Sequence, residues 1–298
     1  MDINSFKEIN VNDYQKFIKC TNGNYNNSES SFATMYMWQH YANVKYSIEN
    51  DTIFSIYKNR NGNYSSFMPY GKKRNSLDTI KKLIELYNEL NSPLIINLCT
   101  EDFVDFIKNN CSYKIKVTEQ RNSFDYVYYT QELIELKGKK FHSKKNHINT
   151  FTKKYPYEYV RYNNEMKHSC IEFCKNVLAQ HYGMDENAYK TELFSITKTF
   201  DNLDDLNLKC GLLTLDDKII ALSVGERLNN EYALIHIEKA DYNYRSSYSV
   251  INNLFLKNEF SDTIYVNREE DMGIEGLRIA KKSYNPCKII KKYTVEFE

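Results

Sequence analysis

Residues 209–215, 219–226 and 232–238 are three short, largely apolar segments joined at the turn residues Asp216-Asp217 and Asn229-Asn230, and the third alternates with period two, Ala233, Ile235 and Ile237 against Tyr232, Leu234, His236 and Glu238. Period-two alternation describes a strand with two unlike faces, and short Asp or Asn turns fold consecutive strands back on one another. The segment therefore has to be a three-stranded antiparallel meander. Around it the period changes. Residues 165–180 and 187–200 read as helices before the meander, and 248–259 and 275–283 as helices after it. Strands at 157–161, 263–266 and 287–297 complete the expected order β-α-α-β-β-β-α-β-α-β, an α+β unit.

The first half is similarly mixed. Phe32, Met35, Tyr36, Trp38 and Tyr41 fall largely on one helical face within 30–41, and strand-like stretches follow near Tyr46 and at 53–57 and 64–68. Leu77, Ile80, Leu83, Ile84, Tyr87 and Leu90 recur at helical spacing until Ser92-Pro93 stops them. A strand at 94–98, a short helix at 102–108 and strands at 113–117 and 124–128 then follow. At 298 residues, and with domains of roughly 100–150 residues each, the chain is expected to divide into 1–130, a connector 131–154, and 155–298.

Hydrophobic residues make up 42% and charged residues 27%, the range of chains that bury cores, and 40 basic against 39 acidic side chains leave a net charge of +1. No global field draws such a chain to nucleic acid or membrane, so anion binding has to be local. The seven cysteines are odd in number and scattered, and the opening MDINSFKEIN lacks a secretory pattern, which leads us to expect a reduced, cytoplasmic setting. No apolar run reaches the 18 or so residues of a membrane helix. Cys170 and Cys174, with His168 near them, have no second pair at zinc spacing and read as core thiols; no metal is expected.

Four places carry chemistry. Between 137 and 154 stand seven Lys, two His and no acid. Lys139, Lys140, Lys144 and Lys145 are candidates for holding donor phosphates, against the plain alternative of a solvated linker helix. On the third meander strand, strict alternation puts His236 and Glu238 on one face, where either is a candidate proton acceptor or a satisfied sheet residue. The run Asn267-Arg268-Glu269-Glu270-Asp271 lies between a strand and a helix. Acids there complement the helix dipole and also suit an amine substrate, which makes Asn267, Arg268, Glu269 and Asp271 candidate binding residues. Finally, Arg278, Lys281 and Tyr284 share spacings on the next helix; Arg278 and Lys281 suit substrate binding, and Tyr284, as a phenol, suits protonation of a leaving group.

The element order of the second half resembles the GNAT acyltransferase arrangement, and the first half reads as a degraded copy. KGKKFHSKKNHINTF, the ALSVGE ending at Glu226, the HIEKAD starting at His236 and above all NREEDMGIEGLRIAKKSYNP look like a bacterial family related to the C-terminal domain of phosphatidylglycerol lysyltransferase, with Fem-type aminoacyltransferases as relatives. The resemblance implies a tandem GNAT-like fold of two mixed, mostly antiparallel sheets flanked by helices. It also implies aminoacyl transfer, with charged tRNA as donor. Where GNAT enzymes place a glycine-containing turn for coenzyme A, this chain reads Tyr244-Arg245-Ser246-Ser247-Tyr248-Ser249, without glycine; Arg245 joins the phosphate candidates. The expected function is transfer of an aminoacyl group from tRNA to a small-molecule, peptide or lipid head-group acceptor. Acetyl-CoA-dependent N-acetylation is the alternative, and a non-catalytic scaffold that binds RNA or protein is the third reading.

Overall fold

The computed structural model describes residues 1–59, 61–182 and 185–298. In chain order the first part holds β1 (Lys7–Glu8), α1 (Tyr14–Thr21), α2 (Phe32–Ala42), β2 (Lys45–Glu49), β3 (Thr52–Lys58), β4 (Tyr64–Phe67), β5 (Tyr70–Gly71), α3 (Leu77–Glu89), β6 (Ile95–Thr100), α4 (Glu101–Asn110) and β7 (Ile115–Glu119). There follow β8 (Asp125–Tyr129), α5 (Thr130–Glu135), α6 (His142–Lys154), β9 (Glu158–Arg161), α7 (Lys167–Tyr182), α8 (Glu186–Asp201), β10 (Lys209–Leu215), β11 (Lys218–Arg227), β12 (Tyr232–Ala240), α9 (Ser247–Glu259), β13 (Tyr265–Asn267), α10 (Glu275–Lys282), β14 (Lys288–Ile290) and β15 (Lys292–Phe297). Two mixed, mostly antiparallel sheets flanked by helices result, as the resemblance implied. Contacts divide the chain into one unit of Met1–Asp125, Glu270–Ile274 and Ile289–Glu298 and another of Tyr126–Glu269 and Glu275–Lys288.

The first unit's sheet runs β1-β2-β3-β4-β6-β15-β7, with β5 against β3. Its C-terminal strand departs from the expected plan. The last strand was expected to close the second half, yet β15 lies antiparallel between β6 and β7, with Val295 opposite both Ile96 and Val117. Both neighbouring strands there have backbone groups to satisfy, and Val295 is fully buried.

Lys292, at the start of β15, is also fully buried. Its ammonium donates to Asp125 Oδ1 at 2.6 Å, to Ser28 Oγ at 3.0 Å and to Glu29. Asp125 further accepts from the Ser28 amide and hydroxyl. Burial alone would lower the lysine's pKa, but the Asp125 and Glu29 charges outweigh it and raise the value. One cation cannot serve two carboxylates equally. Burial pushes Glu29 up to about 7, Lys292 opposes that, and the Asp125 charge adds to it.

The second unit's strands run β8-β13-β12-β11-β10-β9. From β9 to α10 the expected element order holds. The strand expected near 124–128 in the first domain instead pairs here, Tyr129, Tyr128 and Val127 lying opposite Tyr265, Val266 and Asn267. The connector forms two helices, α5 and α6, because Leu136 and Gly138 take positive φ (47° and 85°) and break the helical path between them. Its lysines do find acids just upstream of the run: Lys137 pairs with Glu135 and Lys140 with Glu132. One core joins Tyr126, Tyr128, Ala233, Ile235, Phe255, Leu256 and Phe260; a second joins Leu213, Ala221, Ala240, Val250 and Ile251. Helix α9 is common to both.

Lys292→Met leaves Asp125 buried without its cation and is expected to lower stability by about 3–5 kcal/mol in urea titration. Because Glu29 binds its proton more tightly when folded, its contribution to stability is full below pH 4.5 and lost as the pH rises through about 7. Glu29→Gln should flatten that part of the pH–stability curve.

Candidate functional site

β12 and β13 run parallel for three registered pairs, Tyr232 with Tyr265, Ala233 with Val266 and Leu234 with Asn267. There β13 ends, while β12 continues to Ala240. Beyond the carboxyl end of β13, the edge of β12 is left to side chains, the position where sheets of this kind receive ligands.

The same stretch of β12 carries a bulge. Val224 of β11 faces Ile237 and the next residue, Gly225, faces Ile235, so His236 is one residue in excess. A bulge reverses which side chains point to each face. Before it Ala233 and Ile235 pack on α9; after it Ala240 packs on α9, and Glu238 accepts a hydrogen bond from Asn252 of that helix at 3.2 Å. Strict alternation had put His236 and Glu238 on one face. The extra residue separates them, and each has its own partners. Gly225 is required opposite the bulge: a Cβ there would come 2.5 Å from the Leu234 carbonyl oxygen.

His236 lies between two carboxylates, with Nε2 3.0 Å from Glu226 and Nδ1 3.0 Å from Glu269. Burial would favour the neutral ring, but the hydrogen bonds and charges of both glutamates prevail and raise its pKa to about 9. At neutral pH it is an imidazolium donating from both nitrogens, which suits a clamp better than a proton acceptor. The clamp holds Glu269, whose own amide donates to Asn267 Oδ1 at 2.8 Å and whose φ is +56°. Lys281 donates to the carbonyl of Arg268, and Tyr128 Oη donates to the carbonyl of Lys281 at 2.9 Å. Asn267, Glu269, Lys281 and His236 thus fix the backbone on both sides of Arg268.

Arg268 in turn spans the gap. Its Nη2 donates to Glu238 Oε1 at 2.8 Å, and its guanidinium lies over the Tyr284 ring at 4.9 Å. Its Nη1 is buried without a hydrogen-bond partner, as is the hydroxyl of Ser223, the residue registered opposite Glu238. Buried donors are normally satisfied, so both groups have hydrogen-bonding capacity that the surrounding side chains leave unused. Tyr284 donates to Ser249 Oγ at 3.1 Å, and burial raises its pKa, so it holds its proton. Lys144 of α6 is 4.0 Å from the Tyr284 ring. Burial and then the Arg268 charge lower its pKa, with Glu238 opposing. Burial, Lys144 and Arg245 likewise lower that of His147.

Glu238, Arg268, Tyr284 and Lys144 are therefore brought into one neighbourhood of the second unit, and the exposed Arg245 acts on His147 only through its charge. Lys139 and Lys145 stand apart from it, lining with Lys137 and His142 a cavity of about 550 Å3. Arg278 sits half-buried on α10. Asp271 is fully buried, counted with the first unit, and paired with Arg121 at 3.1 Å; a carboxylate so engaged is not displayed to an amine, contrary to the expectation for the acidic run. Sequence reading missed Ser223, Ser249, Asn252 and His147. A signal for two of them existed, since Ser249 and Asn252 are polar residues three apart on the apolar face of α9. Among the described residues no group of three or more His, Cys, Asp or Glu is disposed to hold a metal ion.

A family model described as phosphatidylglycerol lysyltransferase, C-terminal, matches residues 22–296. An uncharacterized protein of Mycoplasmoides gallisepticum is 31% identical over 222 residues, 74% of this chain and 70% of that protein. The crystal structure of a conserved Bacteroides thetaiotaomicron protein of unknown function superposes with a TM-score of 0.91 at 28% identity, covering 98% of this chain and 99% of that one. FemX shares the tandem GNAT-like fold at 8% identity, with a TM-score of 0.61 over 100% of this chain and 98% of its own.

The raised pKa of His236 stabilises the fold fully below pH 6.5, and the contribution is lost as the pH rises through about 9. It is worth roughly 3 kcal/mol. Thermal unfolding between pH 6 and 10 should show this loss in the wild type, whereas His236→Gln should be less stable at pH 7 and much flatter across the range.

Proposed function

The chain belongs to the phosphatidylglycerol lysyltransferase C-terminal family, and on that premise we propose that it moves an aminoacyl group from the 3′ ester of a charged tRNA to an amine or hydroxyl acceptor. The observation that carries the reading is the meeting of Glu238, Arg268, Tyr284 and Lys144 where β12 outruns β13.

In this reading the acceptor nitrogen or oxygen attacks the ester carbonyl and gives its proton to Glu238, the carboxylate already oriented by Asn252 and Arg268. Negative charge grows on the carbonyl oxygen, and the unpaired Nη1 of Arg268 is the donor suited to meet it. The bond to the ribose oxygen then breaks, and the proton that this oxygen needs comes from Tyr284, which Ser249 holds in place. Lys144 and Arg245 hold donor phosphates near the reacting ester, with Lys139, Lys140 and Lys145 as further contacts along the backbone. Asn267, Glu269, Lys281 and His236 act by positioning Arg268. The acceptor is a small molecule, peptide or lipid head group; among the described residues no helix is long and apolar enough to cross a membrane.

Acetyl-CoA-dependent transfer would use the same base, and one observation speaks for it: Ser246 takes φ +80° at the start of α9, so the turn adopts a glycine-like conformation without glycine.

Incubation with charged tRNA and a panel of amine and hydroxyl acceptors tests the donor. Release of the aminoacyl group to an acceptor is expected, with Glu238→Gln about a hundredfold slower or more and RNA affinity nearly unchanged. Lys144→Ala with Arg245→Ala should weaken RNA binding and reduce its salt slope by about 1–2. Turnover of acetyl-CoA without RNA would replace the aminoacyl reading by the acetyl one, and no turnover with either donor would leave the scaffold.

A further inference from the structure

The segment that begins α9 presents tyrosines on both sides of Arg245. Tyr244 meets Tyr155 edge-on at 5.4 Å, and Tyr242 lies 6.3 Å from Tyr248. Tyr155 in turn packs on the fully buried Phe151 at 4.8 Å. These rings are anchored by one another and by Phe151 and remain partly accessible: Tyr155, Tyr244 and Tyr248 are half-buried, while Tyr242 is 54% exposed. Tyrosine is abundant in this chain, so a surface tyrosine alone carries nothing. Here the rings are interleaved with cations. Arg245 is exposed between them, Lys154 lies 4.9 Å over the Tyr155 ring, and burial with the charges of Lys144 and Arg245 lowers the pKa of His147, Lys144 itself lying 4.0 Å from the Tyr284 ring.

Anchored aromatic rings between exposed cations form the kind of surface that single-stranded nucleic acid uses, because every base has a stackable face and every linkage a charge. A paired stem would offer this surface phosphates but no base faces. Resting on the transferase reading above, we propose that the surface of Tyr155, Tyr242, Tyr244 and Arg245 stacks the unpaired 3′ nucleotides of the donor RNA and so leads its terminal ester toward Lys144 and Tyr284. Recognition is then of an unpaired end with little dependence on base identity, since stacking and phosphate contacts supply no base-edge code.

The test is fluorescence anisotropy with the full chain and three labelled RNAs: a hairpin with a four-nucleotide 3′ overhang, the same hairpin with a blunt end, and the overhang sequence alone. The overhang should raise affinity at least tenfold over the blunt hairpin. Tyr244→Ala and Tyr242→Ala should each remove about tenfold of that gain with an unchanged salt slope, and Tyr→Phe at either position should retain it. Unfolding midpoints of the variants, expected within 2–3 °C of wild type, separate lost stacking from lost folding. Equal affinity for overhang and blunt RNA, or alanine variants that bind like wild type, overturns the stacking surface. If charged tRNA is still turned over in that case, the transferase reading survives alone. Absence of both RNA binding and turnover in the wild type removes both.

Discussion

His236 is the residue by which β12 exceeds its neighbour β11, and the arrangement of the site depends on that excess. Without it, odd-numbered side chains would continue toward α9, and Glu238 would point to the opposite face. With it, Glu238 comes to Asn252 and Arg268. The bulge is maintained from two sides. Gly225 admits the displaced backbone, and two carboxylates grip the ring that projects from it. Because the ring carries charge in a buried place, the local structure is tied to the protonation of a single group.

Arg268 shows how a buried charge can be kept for specificity. Desolvation of a guanidinium is costly, and a pair with one glutamate does not by itself repay it. The surroundings contribute stacking on Tyr284, the Tyr128 ring at 5.8 Å, and a backbone pinned on either side by Asn267 and Lys281. This fixes the guanidinium in one orientation, with one nitrogen unpaired. In the proposed transfer, a donor held in that manner would need no reorganisation when charge develops before it.

The first unit is organised around a different buried ion. Lys292 reaches Asp125 and Glu29 only when β15 lies between β6 and β7, strands made some 170 residues or more earlier. The β6-β15-β7 side of that sheet therefore waits for the end of the chain, a high-separation contact of the kind that slows folding. The acid run 267–271 is similarly divided, its first three residues belonging with the second unit and Glu270 and Asp271 with the first.

The period of the hydrophobic pattern settled a good deal. The meander of β10, β11 and β12, the helices around it and the mixed architecture could be read from residue spacing, because burial of one face imposes its period on the chain locally, and the family resemblance from the motifs themselves. Lys144, Arg245, Glu238, Arg268 and Tyr284 were singled out as reactive or charged residues in their own segments. Tertiary structure alone decided how they combine. A bulge is a mismatch between two strands, and its trace in the sequence, Gly225 within β11, does not say which residue of the partner strand is in excess, so the separation of His236 from Glu238 could not be read. The destination of β15, the transfer of β8 to the second sheet and the engagement of Asp271 by Arg121 are likewise choices of partner. Local sequence sets the period of a strand or helix; where a bulge shifts its faces, which strand lies beside it and which charge neutralises a side chain follow only from contacts between elements.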